Sequence, residues 1–215
     1  MDIIYLGHSS FKISGKSSSV VTDPFDPQVV GLKYPKTESD IVTLSHNHSD
    51  HNYTGGVESV HKVIQGPGEY EIRGISIMGF PSFHDNKKGE ERGENTIFVF
   101  ELEGFRLVHL GDLGHSLSDE TITDIGDIDV LMVPVGGTYT LNAEEAAAVT
   151  RAIEPRYVIP MHYQTEGLKP ELSSALTPVD AFVTALGLTP ERMKKLSIKA
   201  GSVLTDELKL VILER

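Results

Sequence analysis

The segment from Leu44 to His51 places three imidazoles and one carboxylate within six positions, directly after an apolar run. The run, 41–44, has the β-branched composition of a strand. The spacing after it is H-x-H-x-D-H, formed by His46, His48, Asp50 and His51. Imidazole and carboxylate are the usual protein ligands of zinc and similar cations when no thiolate is available. We therefore predict half of a metal site here, and a fold in which other segments supply the remaining ligands.

Bulk composition limits where this site can act. The formal net charge of −12 repels phosphate backbones and anionic membranes, so we expect neither a nucleic acid nor a membrane as partner. No apolar run approaches the roughly 20 residues of a membrane span. The N-terminus lacks the basic region of a signal peptide, and cysteine is absent. We expect a cytoplasmic protein with a small-molecule substrate, and the sequence leaves open whether it forms a homo-oligomer.

The N-terminal part of the chain has the pattern of a β-structure. Alternating β-branched residues predict three short antiparallel strands within residues 2–23. Residues 24–40 contain three prolines and are interpreted as a long loop, and 52–60 as a short helix. Further strands are expected at 62–65, 69–73, 75–80, 96–102 and 105–110.

The C-terminal part alternates buried strands with helices. Strands are predicted at 128–134 and 157–160, and a helix at 142–153 with Asn142 as its cap. A second helix is expected to begin with Thr177 as cap and Pro178 at the first helical position. Closing strands are predicted at 196–199, 202–205 and 208–213. No linker of low complexity divides the chain, so we predict one domain over residues 1–215.

Three further residues could complete the metal site. His84, Asp112 and His162 each follow a predicted strand. Glycines flank Asp112 and let the backbone turn closely beneath its carboxylate. Any one of these residues alone is more often a hydrogen-bonded structural group, but several metal-capable groups at strand ends favour a shared site.

These residues in this order resemble the metallo-β-lactamase superfamily along essentially the whole chain. The matching features are Asp23 after an early strand, the H-x-H-x-D-H motif, His84, Asp112, His162, the segment from Gly7 to Phe11 and the segment from Pro134 to Thr138. The resemblance is strongest to a compact branch of metal-dependent hydrolases related to the sugar-acid (ascorbate-phosphate type) lactonases. It implies an α/β fold, a four-layer αββα sandwich, in a single metallo-hydrolase domain.

The resemblance also implies a ligand set for two metal ions. His46, His48 and His84 hold one ion, Asp50, His51 and His162 hold the other, and Asp112 bridges them. Histidine and carboxylate ligands suit zinc best, with manganese, iron, cobalt or nickel as alternatives. Such a pair activates a shared hydroxide for hydrolysis of an ester, lactone or phosphoester.

Other residues receive roles with open alternatives. Asp50 is expected to orient the nucleophile as well as bind metal. Asp23 either accepts a proton from a ligating imidazole or ends its strand as a turn residue. His8 is either a substrate contact or acid, or a structural histidine. We interpret His61, His109 and His115 as structural or surface residues, and Tyr139 and Tyr163 either as packing residues or as rim residues that contact substrate.

Two functions other than small-molecule hydrolysis remain open from the sequence. One is a phosphodiesterase or nuclease, which the acidic charge disfavours. The other is a non-catalytic metal-binding sensor module. No residue of the motif is missing, which argues against this function. Fold alone does not choose among these functions.

Overall fold

We describe a computed structural model of residues 1–199, 201–202, 205 and 207–215. Its strands are β1 (Asp2–Gly7), β2 (Ser10–Ser14), β3 (Ser19–Thr22), β4 (Thr37–Glu38), β5 (Ile41–Leu44), β6 (Val57–Glu58), β7 (Lys62–Gln65), β8 (Gly68–Ile72), β9 (Ile75–Phe83), β10 (Glu94–Leu102), β11 (Phe105–His109), β12 (Val130–Pro134), β13 (Tyr157–Met161), β14 (Glu191–Met193), β15 (Leu196–Ser197) and β16 (Lys209–Leu213). Its helices are α1 (Pro27–Val30), α2 (Asp119–Ile125), α3 (Ala143–Ile153), α4 (Pro170–Ala175) and α5 (Val179–Leu186), with a 3₁₀ turn at Thr54–Gly56.

Two mixed sheets carry the fold. The first has the strand order β15-β1-β2-β3-β5-β7, and the second has the order β14-β16-β13-β12-β11-β10-β9-β8. In the first sheet β1, β2 and β3 are antiparallel, as predicted, whereas β3, β5 and β7 are parallel. In the second sheet β11, β12, β13 and β16 are parallel and β9 and β10 are antiparallel. Strands β4 and β6 form a separate small pair.

Three apolar cores separate the layers. The central core lies between the two sheets and contains large buried rings such as Phe11, Phe98 and Phe100. The second core lies between the outer face of the second sheet and α2, α3 and α5. The third core packs α1 and neighbouring loop residues, among them Phe25 and Tyr34, on the outer face of the first sheet. The layers therefore run helix, sheet, sheet, helix, and the predicted αββα sandwich is confirmed.

The topology brings the carboxyl ends of strands from both sheets to one edge. In the first sheet β1, β3 and β5 run in the same direction, because β1 and β3 are both antiparallel to β2. In the second sheet β9, β11 and β13 share a direction in the same way, through β10 and β12. Loops after the carboxyl ends of strands are where α/β proteins commonly place their ligands.

Two local interpretations of the N-terminal part are wrong. Residues 24–40 include α1 and β4 rather than only a loop, because Asp26 accepts a hydrogen bond from Gln28 N and Pro27 begins the helix. Residues 52–60 form a 3₁₀ turn and β6 rather than a helix, since Gly55 and Gly56 disfavour a longer helix.

The C-terminal part follows the sequence closely. Helix α3 begins after Asn142, whose side chain forms the predicted capping box with Glu145. Helix α5 begins one residue later than predicted, with Pro178 rather than Thr177 at the cap position, because Pro178 adopts an extended backbone. The predicted strand 202–205 includes residues that lie outside the described part of the chain. In that described part, no helix combines the length and the apolar character that crossing a bilayer requires.

The third core contains a tyrosine whose ionisation is linked to folding. Burial raises the pKa of Tyr34 to about 12, and its hydroxyl shares a hydrogen bond of 3.3 Å with Ser10 Oγ. In an unfolded chain tyrosine ionises near pH 10. The raised pKa in the folded protein therefore contributes stability below about pH 10 that is lost as the pH rises towards 12.

We predict that Tyr34→Phe removes this alkaline loss. Between pH 10 and 12, the free energy of unfolding of the wild type should fall by on the order of 2 kcal/mol more than that of the variant. Urea titrations at several pH values measure this difference. Tyr53→Phe is the control, because Tyr53 is 37% exposed. Parallel pH profiles for the wild type and Tyr34→Phe would contradict the prediction.

Candidate metal centre

Every residue of the predicted site lies just beyond the carboxyl end of a strand. The strands and the residues that follow them are β1 with His8, β3 with Asp23, β5 with His46, His48, Asp50 and His51, β9 with His84, β11 with Asp112, and β13 with His162. Strands β1, β3 and β5 belong to the first sheet and β9, β11 and β13 to the second, so the site lies at the edge where the sheets meet. All the metal-capable residues predicted from the sequence are brought together.

The side chains form two neighbouring groups. His46, His48 and His84 place one ligand atom each within 4.8 Å of one another. Asp50, His51 and His162, together with His8, form a second such group. The two groups contact each other, since the rings of His46 and His51 have centroids 4.3 Å apart. These groups contain the two ligand sets that the resemblance implies, with His8 added to the second, and a third group of Asp23, His46 and His51 joins them.

Asp112 lies between the two groups. Its Oδ2 is 3.2 Å from His84 Nε2 in the first group. The same oxygen is 3.2 Å from His51 Nε2 and 3.3 Å from His162 Nε2 in the second group. The side chain is only 2% exposed. One buried carboxylate oxygen is thus shared by imidazoles from both sheets.

Asp23 determines which nitrogens face the centre. Its Oδ2 is 2.9 Å from His51 Nδ1 and accepts a 2.5 Å hydrogen bond from Ser45 Oγ. Ser45 Oγ is in turn 2.9 Å from His46 Nδ1. Because a carboxylate only accepts, Nδ1 of both imidazoles carries a proton, and Nε2 of each ring faces the centre. Of the two alternatives for Asp23, the geometry fits the proton-accepting role.

His8 and Asp50 form a pair beside the second group. His8 Nε2 is 3.2 Å from Asp50 Oδ2, and the His8 and His162 rings have centroids 4.3 Å apart. His8 is buried, whereas the Asp50 side chain is 23% exposed and reaches the mouth of the site. His8 therefore contacts Asp50 from the interior, and Asp50 carries the oxygen that a ligand can reach.

The backbone is strained where the site is built. His8, Asp23 and His162 have φ angles of 55°, 39° and 54°, a left-handed region that is uncommon for residues with a side chain. His162 N donates a hydrogen bond of 2.8 Å to His8 O, which joins the two turns. Such conformations persist when the surrounding structure holds them, and they are frequent at functional sites.

Electrostatics keep the carboxylates charged. Burial disfavours ionisation of Asp112, but the nearby His162 and His51 outweigh it and hold the Asp112 pKa well below its usual range. Burial lowers the pKa of His46 to about 3, so its imidazole is neutral at pH 7. For His51, burial is outweighed by Asp112 and Asp50, which raise its pKa well above the usual value. The centre thus combines ionised carboxylates with a neutral His46 and a protonated His51, and a cation would displace the His51 proton because imidazole binds metal in its neutral form.

The donors fit a divalent cation. His46 Nε2 and Asp112 Oδ1 are buried and have no hydrogen-bond partner among the described residues. Buried polar atoms are nearly always satisfied, and these two atoms are available as ligands of a cation. Histidine and carboxylate are ligands of zinc and related metals.

Several other histidines and tyrosines have the structural positions expected of them. His109 is buried, its Nε2 donates to Ser9 O, and its Nδ1 accepts from Gly111 N, next to Asp112. His115 accepts a hydrogen bond from Phe83 N, next to His84. His61 is exposed.

Tyr163 is buried and stacks on Tyr5, whereas Tyr139 is 37% exposed and lies at the rim.

Some site residues were missed by the sequence analysis. Ser45 links His46 to Asp23, and Asn95 Oδ1 accepts a hydrogen bond from Asp112 N. Arg92 and Lys169 line a cavity of about 430 Å³ that opens over His48, His84 and Asp112. The position of Ser45 directly before the motif was a usable signal. The other three residues come from distant segments and have no local signature.

Comparisons with known proteins agree with this architecture. A family model for the beta-lactamase superfamily domain matches residues 2–162. A UPF0173 metal-dependent hydrolase of Pyrococcus abyssi is 30% identical over 189 residues, which cover 75% of this chain and 84% of the relative.

Solved structures show the same fold. A Thermotoga maritima protein assigned to the metallo-beta-lactamase superfamily superposes with a TM-score of 0.80 at 38% identity, covering 99% of this chain and 97% of that one. The metallo hydrolase Igni18 of Ignicoccus hospitalis has a TM-score of 0.64 at 21% identity, covering 86% of this chain and 90% of that one. At this identity the second likeness concerns the fold alone.

A close backbone contact under His162 provides a test of the packing. A Cβ added at Gly136 would lie 2.0 Å from His162 O. We predict that Gly136→Ala destabilises the protein by about 1–3 kcal/mol, because two backbone segments must separate. Urea titration measures the change. At Gly55 an added Cβ meets no atom within 4 Å, so Gly55→Ala should change stability by less than about 1 kcal/mol. Equal stabilities of the two variants would show that the contact is not rigid.

Proposed function

The chain belongs to the metallo-β-lactamase superfamily, in which its UPF0173 relatives are metal-dependent hydrolases, and on this premise we propose that it is a hydrolase with a two-cation centre. The substrate we propose is a small molecule with an ester, lactone or phosphoester bond. The observation that carries the proposal is the position of Asp112 Oδ2, 3.2–3.3 Å from imidazoles of both ligand groups.

The protein ligands would be divided between the two cations according to the two groups of side chains. His46, His48 and His84 would hold one cation. Asp50, His51 and His162 would hold the other, with Asp112 shared between the two. When bound, such cations lower the pKa of a coordinated water towards neutrality and polarise a carbonyl or phosphoryl oxygen. Zinc is our first choice, and the Thermotoga maritima relative carries a provisional description as a Zn-dependent hydrolase.

The protein's own side chains would fix the geometry of this centre. Asp23 holds the tautomer of His51 directly and that of His46 through Ser45. Loss of such supporting hydrogen bonds typically weakens metal binding about 10–100-fold. His8 would hold one oxygen of Asp50, leaving its other oxygen to orient an attacking water at the mouth of the site.

The size of the site supports a small substrate. The cavity over the centre is about 430 Å³, within the range of roughly 300–1,000 Å³ typical of small-molecule pockets. The net charge of −12 disfavours a polyanionic substrate such as RNA or DNA. Both observations favour the hydrolase of small molecules over a nuclease.

The proposal is tested by measuring metal content and hydrolysis together. Protein reconstituted with zinc is screened against esters, lactones, phosphodiesters and phosphonates, with chelator-treated protein as control. We expect zinc-dependent hydrolysis of at least one class. His48→Ala should reduce it by about 100-fold or more, because losing a ligand should exceed the effect of losing a supporting group.

His48 suits this substitution because it is exposed, so its removal leaves no buried cavity. His61→Ala is the matched control, since His61 is also exposed and belongs to neither ligand group. Full activity of His48→Ala on an identified substrate would refute the proposal. Stoichiometric zinc with tight binding but no turnover of any class would instead favour a sensor module.

A further inference from the structure

The cavity over the metal centre has two positively charged side chains at its rim. Arg92 and Lys169 line it from opposite segments of the chain, the loop after β9 and the residue preceding α4. Val29 and Leu172 add an apolar wall, and Tyr139 lies beside Arg92. A ligand in this cavity would contact residues of the centre as well as positively charged side chains.

Arg92 is held in place by an internal anchor. The carboxylate of Asp85 accepts hydrogen bonds of 2.8–3.0 Å from the backbone N–H groups of Lys87, Gly89, Glu91 and Arg92. The loop is therefore wrapped around one buried carboxylate and is not an extended hairpin tip. The Arg92 backbone is fixed at the edge of the cavity before any ligand arrives.

The guanidinium of Arg92 keeps most of its donors available. Within the described residues it makes one hydrogen bond, from Nη2 to Thr138 O at 3.3 Å, and its Cζ lies 5.9 Å from the centroid of the Tyr139 ring. The nearest carboxylate, Glu91, is 3.6 Å from Nη1 and is already engaged by Lys87 at 2.7 Å. Guanidinium carries five N–H donors, so a second, planar acceptor can be bound.

Arg92 also stands where two cavities meet. A second cavity of about 460 Å³ shares His48 and Arg92 with the first and extends past Gln65 and Pro67. A ligand group on Arg92 is therefore reachable from either side of the centre. Arg92 therefore lines both cavities and is not a peripheral surface charge.

We propose that Arg92, assisted by Lys169, binds an anionic oxyacid group of the substrate that is distinct from the bond being cleaved. This inference rests on the proposed function, and it narrows the substrate to a small molecule that bears a carboxylate or phosphate beyond the scissile bond. Guanidinium binds such groups through two parallel hydrogen bonds, whereas an ammonium adds a point charge. Glu171 also lines the cavity, so selectivity comes from directed donors and not from a uniformly positive rim.

The experiment compares ligands that differ by one anionic group. Isothermal titration calorimetry on the zinc-reconstituted protein measures succinate against butyrate, glutarate against pentanoate, and adipate against hexanoate. Both members of a pair have one carboxylate that can bind the metal centre. The ratio of their dissociation constants therefore measures the contribution of the second, distal carboxylate. We expect at least one dicarboxylate to bind about tenfold more tightly than its partner.

Arg92→Gln should reduce that ratio to below about threefold while leaving the affinity for the monocarboxylate unchanged. Lys169→Gln should reduce it by a smaller factor. Lys88→Gln is the matched control, because Lys88 is exposed in the same loop, loses the same charge, leaves the pair between Lys87 and Glu91 intact and does not line the cavity. A purely structural role of Arg92 would change thermal stability without changing the ratio.

A phosphonate arm identifies the preferred anion. 3-Phosphonopropionate replaces succinate, and the larger loss on Arg92→Gln shows whether the site prefers carboxylate or phosphate. An unchanged ratio in Arg92→Gln, or an equal loss in Lys88→Gln, overturns the proposal. Zinc content and hydrolysis are measured on the same samples. If zinc binding or hydrolysis is absent but the ratio still depends on Arg92, only the proposed hydrolase function is contradicted. If zinc binding and hydrolysis are present but the ratio does not depend on Arg92, only the proposed anion recognition is contradicted.

Discussion

One buried carboxylate oxygen organises the site. Asp112 Oδ2 lies within 3.2–3.3 Å of His51, His84 and His162, three imidazoles that follow three different strands. A buried carboxylate is stable only when its charge is compensated. The compensation here comes from both sheets at once, so the sheets must meet with their carboxyl strand ends aligned. The fold and the centre are in this sense a single arrangement.

The cost of this arrangement appears in the backbone around it. His8, Asp23 and His162 adopt left-handed conformations, and Gly136 packs directly beneath the carbonyl of His162. The strands that precede these three turns pack their side chains into the central apolar core. Rigid strands beneath strained turns fix side-chain positions better than loops alone, which is what a metal centre requires.

Much of this could be predicted from the sequence, because the signals were local. The H-x-H-x-D-H spacing and the strand before it indicated a metal site, and the capping box of Asn142 fixed the start of α3. The contributions of Ser45, Arg92 and Lys169 depend on segments that meet only in the folded chain. Helix α1 was missed because the three prolines in 24–40 favoured a loop, although Pro27 begins the helix after the Asp26 cap. The identity of the substrate depends on the residues of the cavity walls, and the spacing of those residues along the sequence does not indicate which substrate they bind.

The central claim is that two cations flank Asp112. Anomalous diffraction at the zinc edge, on crystals of the zinc-loaded protein, tests it most directly. We expect two peaks, one about 2.0–2.2 Å from the imidazoles of His46, His48 and His84, and the other at a similar distance from His51 and His162, with Asp112 contacting both. A single peak, or peaks away from Asp112, would contradict it.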